Sequence, residues 1–315
     1  MDKKVSLIIP CYNEGPSLSS LYKELKKVLE EVNTKYHYSS ELIFINDGSK
    51  DDTLNFLKKF AKKDINVKYI SFSRNFGKEA AMKAGLEAST GDCIVIIDAD
   101  LQHPPDLILD MIRQYEQGYH QVIAKRSRTG EKFFRKILTK TYYKIVNNLI
   151  DVKLVDGIGD FRLLSRQALN SLMQMPEYNR FSKGLFSWIG YKEKIIEYEN
   201  KERELGESKW RLSSLLNYAI DGIVSFNSKP LRLIIYLGLL ITILNIGYIS
   251  YNYIKILLFG VDTPGYFTLI SAILLLGGIQ LISIGILGEY IGRIFYEVKL
   301  RPSYIIEESN IEITE

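Results

Sequence analysis

Two apolar runs near the carboxyl end of this 315-residue chain contain no charged side chain. They cover residues 233–254 and 263–288, and each is long enough to cross about 30 Å of hydrocarbon as a helix. A pair of buried core helices is the alternative, but apolar runs of this length are uncommon inside a domain of this size. The runs therefore predict a transmembrane hairpin within residues 231–295.

Charged residues around the two runs predict the orientation of the hairpin. Basic side chains lie on its two outer flanks: Lys229 and Arg232 before the first run, and Arg293, Lys299 and Arg301 after the second. The connection at 260–265 has only an acidic residue, although Lys255 is a discordant charge. Because basic residues favour the cytoplasmic side, we expect both termini in the cytosol and the turn outside the plasma membrane.

Charge balance and cysteine content narrow the functional classes. The chain has 41 basic and 37 acidic side chains, a net charge of +4, which is not the excess typical of nucleic-acid binding. It opens with polar residues and a strand pattern instead of a signal sequence, so the first domain is expected in the cytosol. Cys11 and Cys93 adjoin apolar runs without Cys-x-x-Cys spacing, which favours buried, reduced thiols over zinc or a disulfide.

Residues 1–126 alternate short apolar runs with amphipathic stretches. Strand patterns occupy residues 5–10, 41–47, 67–73, 93–98 and 121–125. Behind Ser17, a candidate helix cap, six apolar residues keep helical spacing: Leu18, Leu21, Leu25, Val28, Leu29 and Val32. This alternation predicts a doubly wound α/β sheet, in which ligands bind beyond the carboxyl ends of the strands.

Polar clusters follow four of the predicted strands, at the edge where such a ligand would bind. After the fourth, Asp98, Asp100 and Gln102 are spaced two residues apart, and in a strand they would share one face. Three oxygen-bearing side chains suit a hard cation, Mg²⁺ or Mn²⁺, which can grip a diphosphate leaving group. The chain has neither a Gly-x-Gly-x-x-Gly after the first strand nor a P-loop, so a nucleotide would be held differently.

Six segments resemble, in order, the motif series of family 2 glycosyltransferases. They are Ile8-Ile-Pro-Cys-Tyr-Asn-Glu14, Asn46-Asp-Gly-Ser-Lys-Asp-Asp-Thr53, Arg74-Asn-Phe-Gly-Lys-Glu-Ala80, Asp98-Ala-Asp-Leu-Gln-His-Pro-Pro105, Gly159-Asp-Phe-Arg-Leu-Leu164 and Arg203-Glu-Leu-Gly-Glu-Ser-Lys209. With the apolar runs, the whole chain is similar to the polyprenyl-phosphate members of that family, of the bactoprenol glucosyltransferase and dolichol-phosphate mannose synthase type. The resemblance implies a GT-A fold over residues 1–210, a nucleotide-sugar donor, a lipid phosphate acceptor and inversion at the anomeric carbon.

The resemblance also implies a set of residues around the nucleotide sugar: Pro10, Tyr12, Glu14, Asp47, Lys78, Asp98, Ala99 and Asp100. Tyr12 offers a flat face, and the carboxylates of Glu14 and Asp47 accept hydrogen bonds from ribose or base. A helix cap at Glu14 and a solvated Lys78 are the alternatives. Many relatives have Asp-Asp-Gly-Ser where this chain has Asn46-Asp47-Gly-Ser, so either Asp47 makes the base contact alone or Asn46 is simply a turn residue. His103 is expected to take no part.

The acceptor phosphate has a second pKa near 6, so at cytosolic pH it is mostly a dianion that gains little from a base. The resemblance implies catalytic roles for Asp160 and Arg203. We interpret Asp160 as orienting the sugar or a basic partner such as Arg162; a structural Asp–Arg pair is the alternative. Residues matching the family's acceptor-side cations are Arg126, for which Arg128 is a possible substitute, Arg203 and Lys209.

Three further segments carry predictions about the membrane and assembly. Residues 131–150 and 211–230 are amphipathic, and we expect interfacial helices there, with packing on the sheet as the alternative. The cytosolic tail, residues 296–315, includes an apolar stretch at 304–308. It is expected either to pair as a strand with a neighbouring subunit of a homo-oligomer or to stay exposed.

The predicted activity is transfer of one sugar from a nucleotide diphosphate to polyprenyl phosphate. UDP-glucose is the first choice of donor, UDP-N-acetylglucosamine the second and GDP-mannose the third. A processive polysaccharide synthase is disfavoured because its Gln-x-x-Arg-Trp signature is absent. A catalytically inactive membrane scaffold is the alternative of another class, against which the joint presence of Asp98, Asp100, Asp160 and Arg203 argues.

Overall fold

The computed structural model describes residues 3–127, 147, 155, 157–199, 229–259 and 265–311. Several predictions lie outside these residues. They concern the amphipathic segment at 131–150 apart from residue 147, the segment at 211–228, and the basic residues Arg128, Arg203 and Lys209.

Eight strands of the described chain form one sheet. They are β1 Lys4–Cys11, β2 Ser39–Asn46, β3 Val67–Phe72, β4 Cys93–Ile96, β5 Gln121–Arg126, β6 Ile158–Ser165, β7 Glu193–Tyr198 and β8 Ile306–Ser309. The spatial order is β7-β5-β6-β4-β1-β2-β3-β8. The five predicted strands are confirmed, and β6 and β7 were not predicted. Strand β8 lies in the tail, for which a strand was one of two expectations.

Eight helices are described. They are α1 Gly15–Tyr36, α2 Thr53–Lys63, α3 Lys78–Ala88, α4 Leu107–Glu116, α5 Arg166–Met173, α6 Ser182–Trp188, α7 Lys229–Phe259 and α8 Tyr266–Val298. The prediction that Ser17 caps α1 is wrong, because the helix begins two residues earlier with a proline in its first turn. Proline is favoured there since its missing N–H would have no helical partner.

The sheet is buried on both faces by helices. One face places Leu7, Ile9 and Phe44 against α1, α2 and α4, and the other places Ile8 and Ile43 against α3, α5 and α6. Both Cys11 and Cys93 are buried free thiols, as predicted, and burial raises the pKa of each. The predicted doubly wound arrangement is therefore present.

Strand direction decides which loops meet at one edge. Strands β4, β1, β2 and β3 run parallel to one another, so their carboxyl ends lie together. Strand β6 is antiparallel to β4 and to β5, and therefore its first residues, not its last, lie at that edge. Strand β7 is parallel to β5, so both of these strands also end there.

The carboxyl-terminal tail pairs with its own chain. Strand β8 is antiparallel to β3, with Ile70 opposite Ser309 and Phe72 opposite Ile306. The expectation of an exposed tail is therefore wrong for this segment, and the observed strand partner lies within the same chain. A homo-oligomer stays a prediction.

Helices α7 and α8 occupy the predicted hairpin and contact each other. Their 31 and 33 residues exceed the predicted spans. Among the described residues, one helical window, Leu275–Val298, is long and apolar enough to cross a membrane, and none of it is buried. It is therefore not a core helix of the sheet domain.

Candidate active site

The candidate site lies at the carboxyl-end edge of the sheet. Five connections contribute to it: those after β1, β2, β3 and β4, and the start of β6. The first four carry the polar clusters that the sequence placed there. The fifth enters because β6 runs in the opposite direction.

The two carboxylates after β4 lie on a turn. Strand β4 ends at Ile96, residues 99 and 100 form a turn, and Leu101 has a φ of 57°. The backbone N–H of Gln102 donates to Asp100 Oδ1 at 3.1 Å, which closes the turn. The predicted strand alternation of these side chains is therefore wrong. A left-handed conformation is costly for leucine, and such backbone is found most often at functional sites.

Lys78 joins the first of these carboxylates to Asp160. Its Nζ lies 2.6 Å from Asp98 Oδ1 and 2.6 Å from Asp160 Oδ2. The lysine side chain is 44% exposed, against 25% for Asp98 and 15% for Asp160. The alternative of a solvated Lys78 does not describe this arrangement.

Burial and charge act in opposite directions on these three groups. Burial alone would raise the pKa of both carboxyls, but the Lys78 ammonium outweighs it and holds the pKa of Asp98 and of Asp160 below the usual range. Burial would lower the pKa of Lys78, but the two carboxylates raise it. All three groups are therefore ionised at neutral pH.

Asp160 reaches Lys78 because of the register of β6. Arg162 lies opposite Ile96, the last residue of β4, so the two preceding positions extend past that strand toward Asp98. The predicted partner Arg162 is itself buried, with its guanidinium 3.8 Å from the ring centroid of Phe186 and its Nη2 donating to Gly159 O at 2.9 Å. The cation that pairs with the Asp160 carboxylate is Lys78.

His103 contacts the same network, which the sequence did not predict. Its Nδ1 is 2.7 Å from the hydroxyl of Tyr198, and its Nε2 is 3.4 Å from Asp98 Oδ2. Tyr198 ends β7 and was also missed, because that strand has a charged, half-exposed pattern. Its carbonyl accepts the N–H of Ser127, which directly follows Arg126 at the end of β5. The predicted acceptor residue Arg126 thus lies at the same edge, with its side chain exposed.

Asp47 organises the loop that precedes Lys78. Its buried carboxylate accepts the backbone N–H of Phe76 at 2.7 Å and of Gly77 at 3.0 Å. Gly48 allows the two loops to meet, because a Cβ there would lie 2.3 Å from the carbonyl carbon of Arg74 and its φ is +62°. Burial raises the pKa of Asp47 although these N–H groups and Arg74 act against it. The predicted contact between Asp47 and the nucleotide base would be additional to these hydrogen bonds with the loop.

Asn46 has the contacts of a turn residue. It is buried, its Oδ1 accepts the N–H of Ser49 at 3.1 Å, and its Nδ2 donates to Ser71 Oγ at 3.0 Å. Of the two interpretations left open for this position, the structural one describes these contacts. The side chain therefore ties the loop after β2 to the end of β3.

The predicted nucleotide contacts after β1 lie at the start of α1. Pro10 is within β1, and Tyr12, which follows the strand, is 36% exposed. Glu14 occupies the N-cap position through its backbone, since its carbonyl accepts the N–H of Ser17 at 3.0 Å, but its side chain makes no N-cap hydrogen bond. The carboxylate that accepts the first helical N–H is that of Asp51, 3.0 Å from Gly15 N.

The donor set after β4 suits a cation that also binds a substrate. Within the described residues, no group of three or more His, Cys, Asp or Glu side chains is arranged to hold a metal ion. Asp98 and Asp100 supply carboxylate oxygens, and Ala99 between them is buried. Magnesium ions are commonly held by one or two carboxylates together with substrate phosphates. The residues present fit that arrangement and do not form an all-protein cage.

Comparison with known proteins identifies the family. Residues 6–173 match Glycosyl transferase family 2, and residues 229–294 match the GtrB C-terminal hairpin. The Putative glycosyltransferase CsbB of Bacillus subtilis strain 168 is 56% identical over 98% of this chain and 92% of its own length. The SfII prophage-derived bactoprenol glucosyl transferase of Shigella flexneri is 41% identical over 98% of both chains. The Prophage bactoprenol glucosyl transferase homolog of Escherichia coli strain K12 is 42% identical over 96% of this chain and 98% of its own.

These matches confirm the family and the fold that the motif series predicted. The mixed, mostly parallel sheet with helices on both faces is a GT-A fold. The matched hairpin and the unburied apolar window of α8 indicate membrane association. The chain therefore belongs to glycosyl transferase family 2, and it is a glycosyltransferase that carries the GtrB C-terminal hairpin.

Proposed function

We propose that this enzyme transfers glucose from UDP-glucose to polyprenyl phosphate, inverts the anomeric carbon and uses Mg²⁺ or Mn²⁺. The observation that carries the proposal is Lys78 held between Asp98 and Asp160 at the edge where the donor motifs converge. Two relatives are named bactoprenol glucosyl transferases or their homolog, which supports glucose as the sugar and a polyprenyl carrier as the acceptor. UDP-N-acetylglucosamine and GDP-mannose are the second and third choices of donor.

The proposed reaction is a single displacement. A phosphate oxygen of the acceptor attacks the anomeric carbon from the face opposite the diphosphate. The new carbon–oxygen bond forms as the bond to the diphosphate oxygen breaks, and UDP leaves with the electron pair. Because the acceptor is mostly a dianion above its second pKa of about 6, no residue has to remove a proton.

The roles of the site residues follow from their charges. Asp160 orients the sugar and Lys78, and its lowered pKa makes it a poor base. Tyr12, Glu14 and Asp47, together with Pro10, line the expected nucleotide side. Asp98, Asp100 and Gln102 would hold the cation, which when bound offsets the charge that develops on the departing diphosphate. Arg126, with Arg203 and Lys209 from the segment outside the described residues, would bind the acceptor phosphate.

A donor panel tests the substrate assignment. We expect purified protein with undecaprenyl phosphate and Mg²⁺ to form a glucosyl lipid from labelled UDP-glucose. Chelation by EDTA, or Asp100→Ala, should lower the rate by about 100-fold or more, since the diphosphate loses its cation. Asp106→Ala is the matched control, because Asp106 is an exposed acid in the same connection whose side chain caps no helix.

Three results would contradict parts of this proposal. Efficient transfer only from UDP-N-acetylglucosamine or GDP-mannose would replace glucose as the sugar. Full turnover in EDTA would remove the cation. The absence of transfer from every donor would favour the inactive scaffold.

We also propose that α7 and α8 form a two-span hairpin with both termini in the cytosol, supported by the basic outer flanks of the hairpin. A cysteine introduced at Thr263, in a variant whose buried native thiols are replaced, should react with an impermeant thiol reagent in intact cells. A cysteine at Ser309 should react only after lysis. Labelling of the second position in intact cells would invert the topology.

A further inference from the structure

The chain beyond the hairpin returns to the catalytic domain. Helix α8 ends at Val298, Leu300 takes a left-handed φ of 49°, and Pro302 follows, so the helix cannot continue. The next residues, 303–311, run along β3 and α3. We name this segment the return strand. We propose that the return strand, through Tyr304, positions Lys78 for sugar transfer, an inference that rests on the proposed function and on the place of Lys78 between Asp98 and Asp160.

Main-chain hydrogen bonds fix the return strand to β3. The pairing continues past β8, because the N–H of Ser73 donates to Ile305 O at 3.1 Å. At the other end, the side chain of Asn310 accepts from Tyr69 N at 2.7 Å and donates to Val67 O at 3.1 Å. Hydrogen bonds thus hold the return strand along β3 as far as Ser73, the first residue of the loop before Lys78.

Three aromatic rings in contact connect the return strand to that loop. The ring of Tyr304 stacks on Phe72 with centroids 4.8 Å apart, and Phe72 meets Phe76 edge to face at 5.7 Å. The guanidinium of Arg74 also lies over the Phe76 ring, 4.1 Å from its centroid. Phe76 is therefore held by its ring, while Asp47 holds its N–H at 2.7 Å. Lys78 follows two residues later.

The return strand also contacts the helix that Lys78 begins. The Tyr304 hydroxyl donates to Glu87 Oε2 at 2.5 Å, and Lys83 Nζ donates to Ser303 Oγ at 3.1 Å. Both partners lie on α3. Tyr304 thus bridges the strand before the loop and the helix after it, so its removal should let the loop shift relative to Asp98 and Asp160. Misplacement by about 1 Å can cost a factor of about 100 in rate.

Variants of the full-length protein test this inference. We expect Tyr304→Ala to lower kcat by about 10- to 100-fold with a smaller change in the donor KM. Tyr304→Phe keeps the stacked ring and should retain most activity. Glu308→Ala is the matched control, because Glu308 lies on the return strand away from the loop and bonds to Tyr69 of β3 and to Lys58 of α2. This variant should keep kcat within about twofold.

Two readouts separate positioning from general loosening of the fold. Hydrogen exchange of the Phe76 and Gly77 amides should be at least about tenfold faster in Tyr304→Ala, with β1 unchanged. In a Lys78→Met background, Tyr304→Ala should lower kcat by less than about a further twofold, because the lysine that Tyr304 positions is no longer there. The inference would be overturned if the amides of residues 76 and 77 exchanged in Tyr304→Ala at the wild-type rate. It would also be overturned if the losses in kcat of the two single variants multiplied in the double variant. The exchange measurement needs no substrate, so failure of the donor assignment would show separately in the wild-type assay.

Discussion

Asp160→Asn is expected to lower kcat by about 100-fold or more without changing the shape of the pH profile. The neutral amide cannot form the ion pair with the Lys78 ammonium, which lies 2.6 Å from the carboxylate. Burial would raise the Asp160 pKa, but Lys78 holds it below its usual range, so the carboxylate stays ionised at neutral pH. Its contribution would be lost only as the pH falls through that lowered pKa. Between about pH 5.5 and 8.5 the profile should therefore follow the acceptor phosphate, whose second pKa is about 6.

The measurement is kcat and KM for the lipid phosphate across that pH range. Asp64→Asn is a matched control, because Asp64 also pairs with a lysine, Lys26, at 2.8 Å but lies away from the sheet edge that forms the site. It should leave kcat within about twofold. An Asp160→Asn enzyme that regained activity steeply at high pH would show that a general base had been lost.

Lys78→Met should lower kcat/KM for the donor by about 100-fold or more. The substitution leaves the Asp98 and Asp160 carboxylates facing each other without the cation that both contact at 2.6 Å. Two such carboxylates repel, so the pKa of one should rise, and the incoming diphosphate would meet uncompensated negative charge. Lys78→Arg should restore little, because a planar guanidinium does not reproduce a compact ammonium between two carboxylates.

Donor binding by calorimetry, alongside kcat and KM, checks this expectation. Lys26→Met removes a similar lysine–aspartate pair remote from the site and should change donor affinity by less than about twofold. If Lys78→Met bound and turned over the donor as the wild type does, the bridging contact would be only a structural ion pair.

Local patterns in the sequence were sufficient to predict much of the fold of this protein and the edge of the sheet that carries the candidate site. Alternating apolar runs predicted five strands, and the polar residues after them were expected at one edge because parallel strands share their carboxyl ends. The long uncharged runs predicted the hairpin that the family match supports. The motif series predicted the family. The strands and the hairpin each rest on residues near one another in the chain, whose spacing alone reports the local structure.

The sequence did not predict the contacts that build the centre of the site. Lys78 and Asp160 are 82 positions apart, and they meet because β6 runs antiparallel to β4 in one register. The partner suggested by proximity, Arg162, is buried against Phe186 instead. The carboxylates after β4 lie on a turn closed by the Gln102 N–H, which strand periodicity does not describe.

The return strand also shows the difference between what the sequence predicted and what only the fold decided, and its partners lie far apart in the chain. The sequence predicted that residues 304–308 would either pair as a strand with a neighbouring subunit or stay exposed, although an edge strand offers the same N–H and C=O groups to any neighbour. In the folded chain the strand partner is β3, and Asn310 bonds to Tyr69 although the two residues are 241 positions apart. Periodicity reports which residues face a core, whereas the pairing of strands and charges depends on how the assembled layers bring distant backbone together.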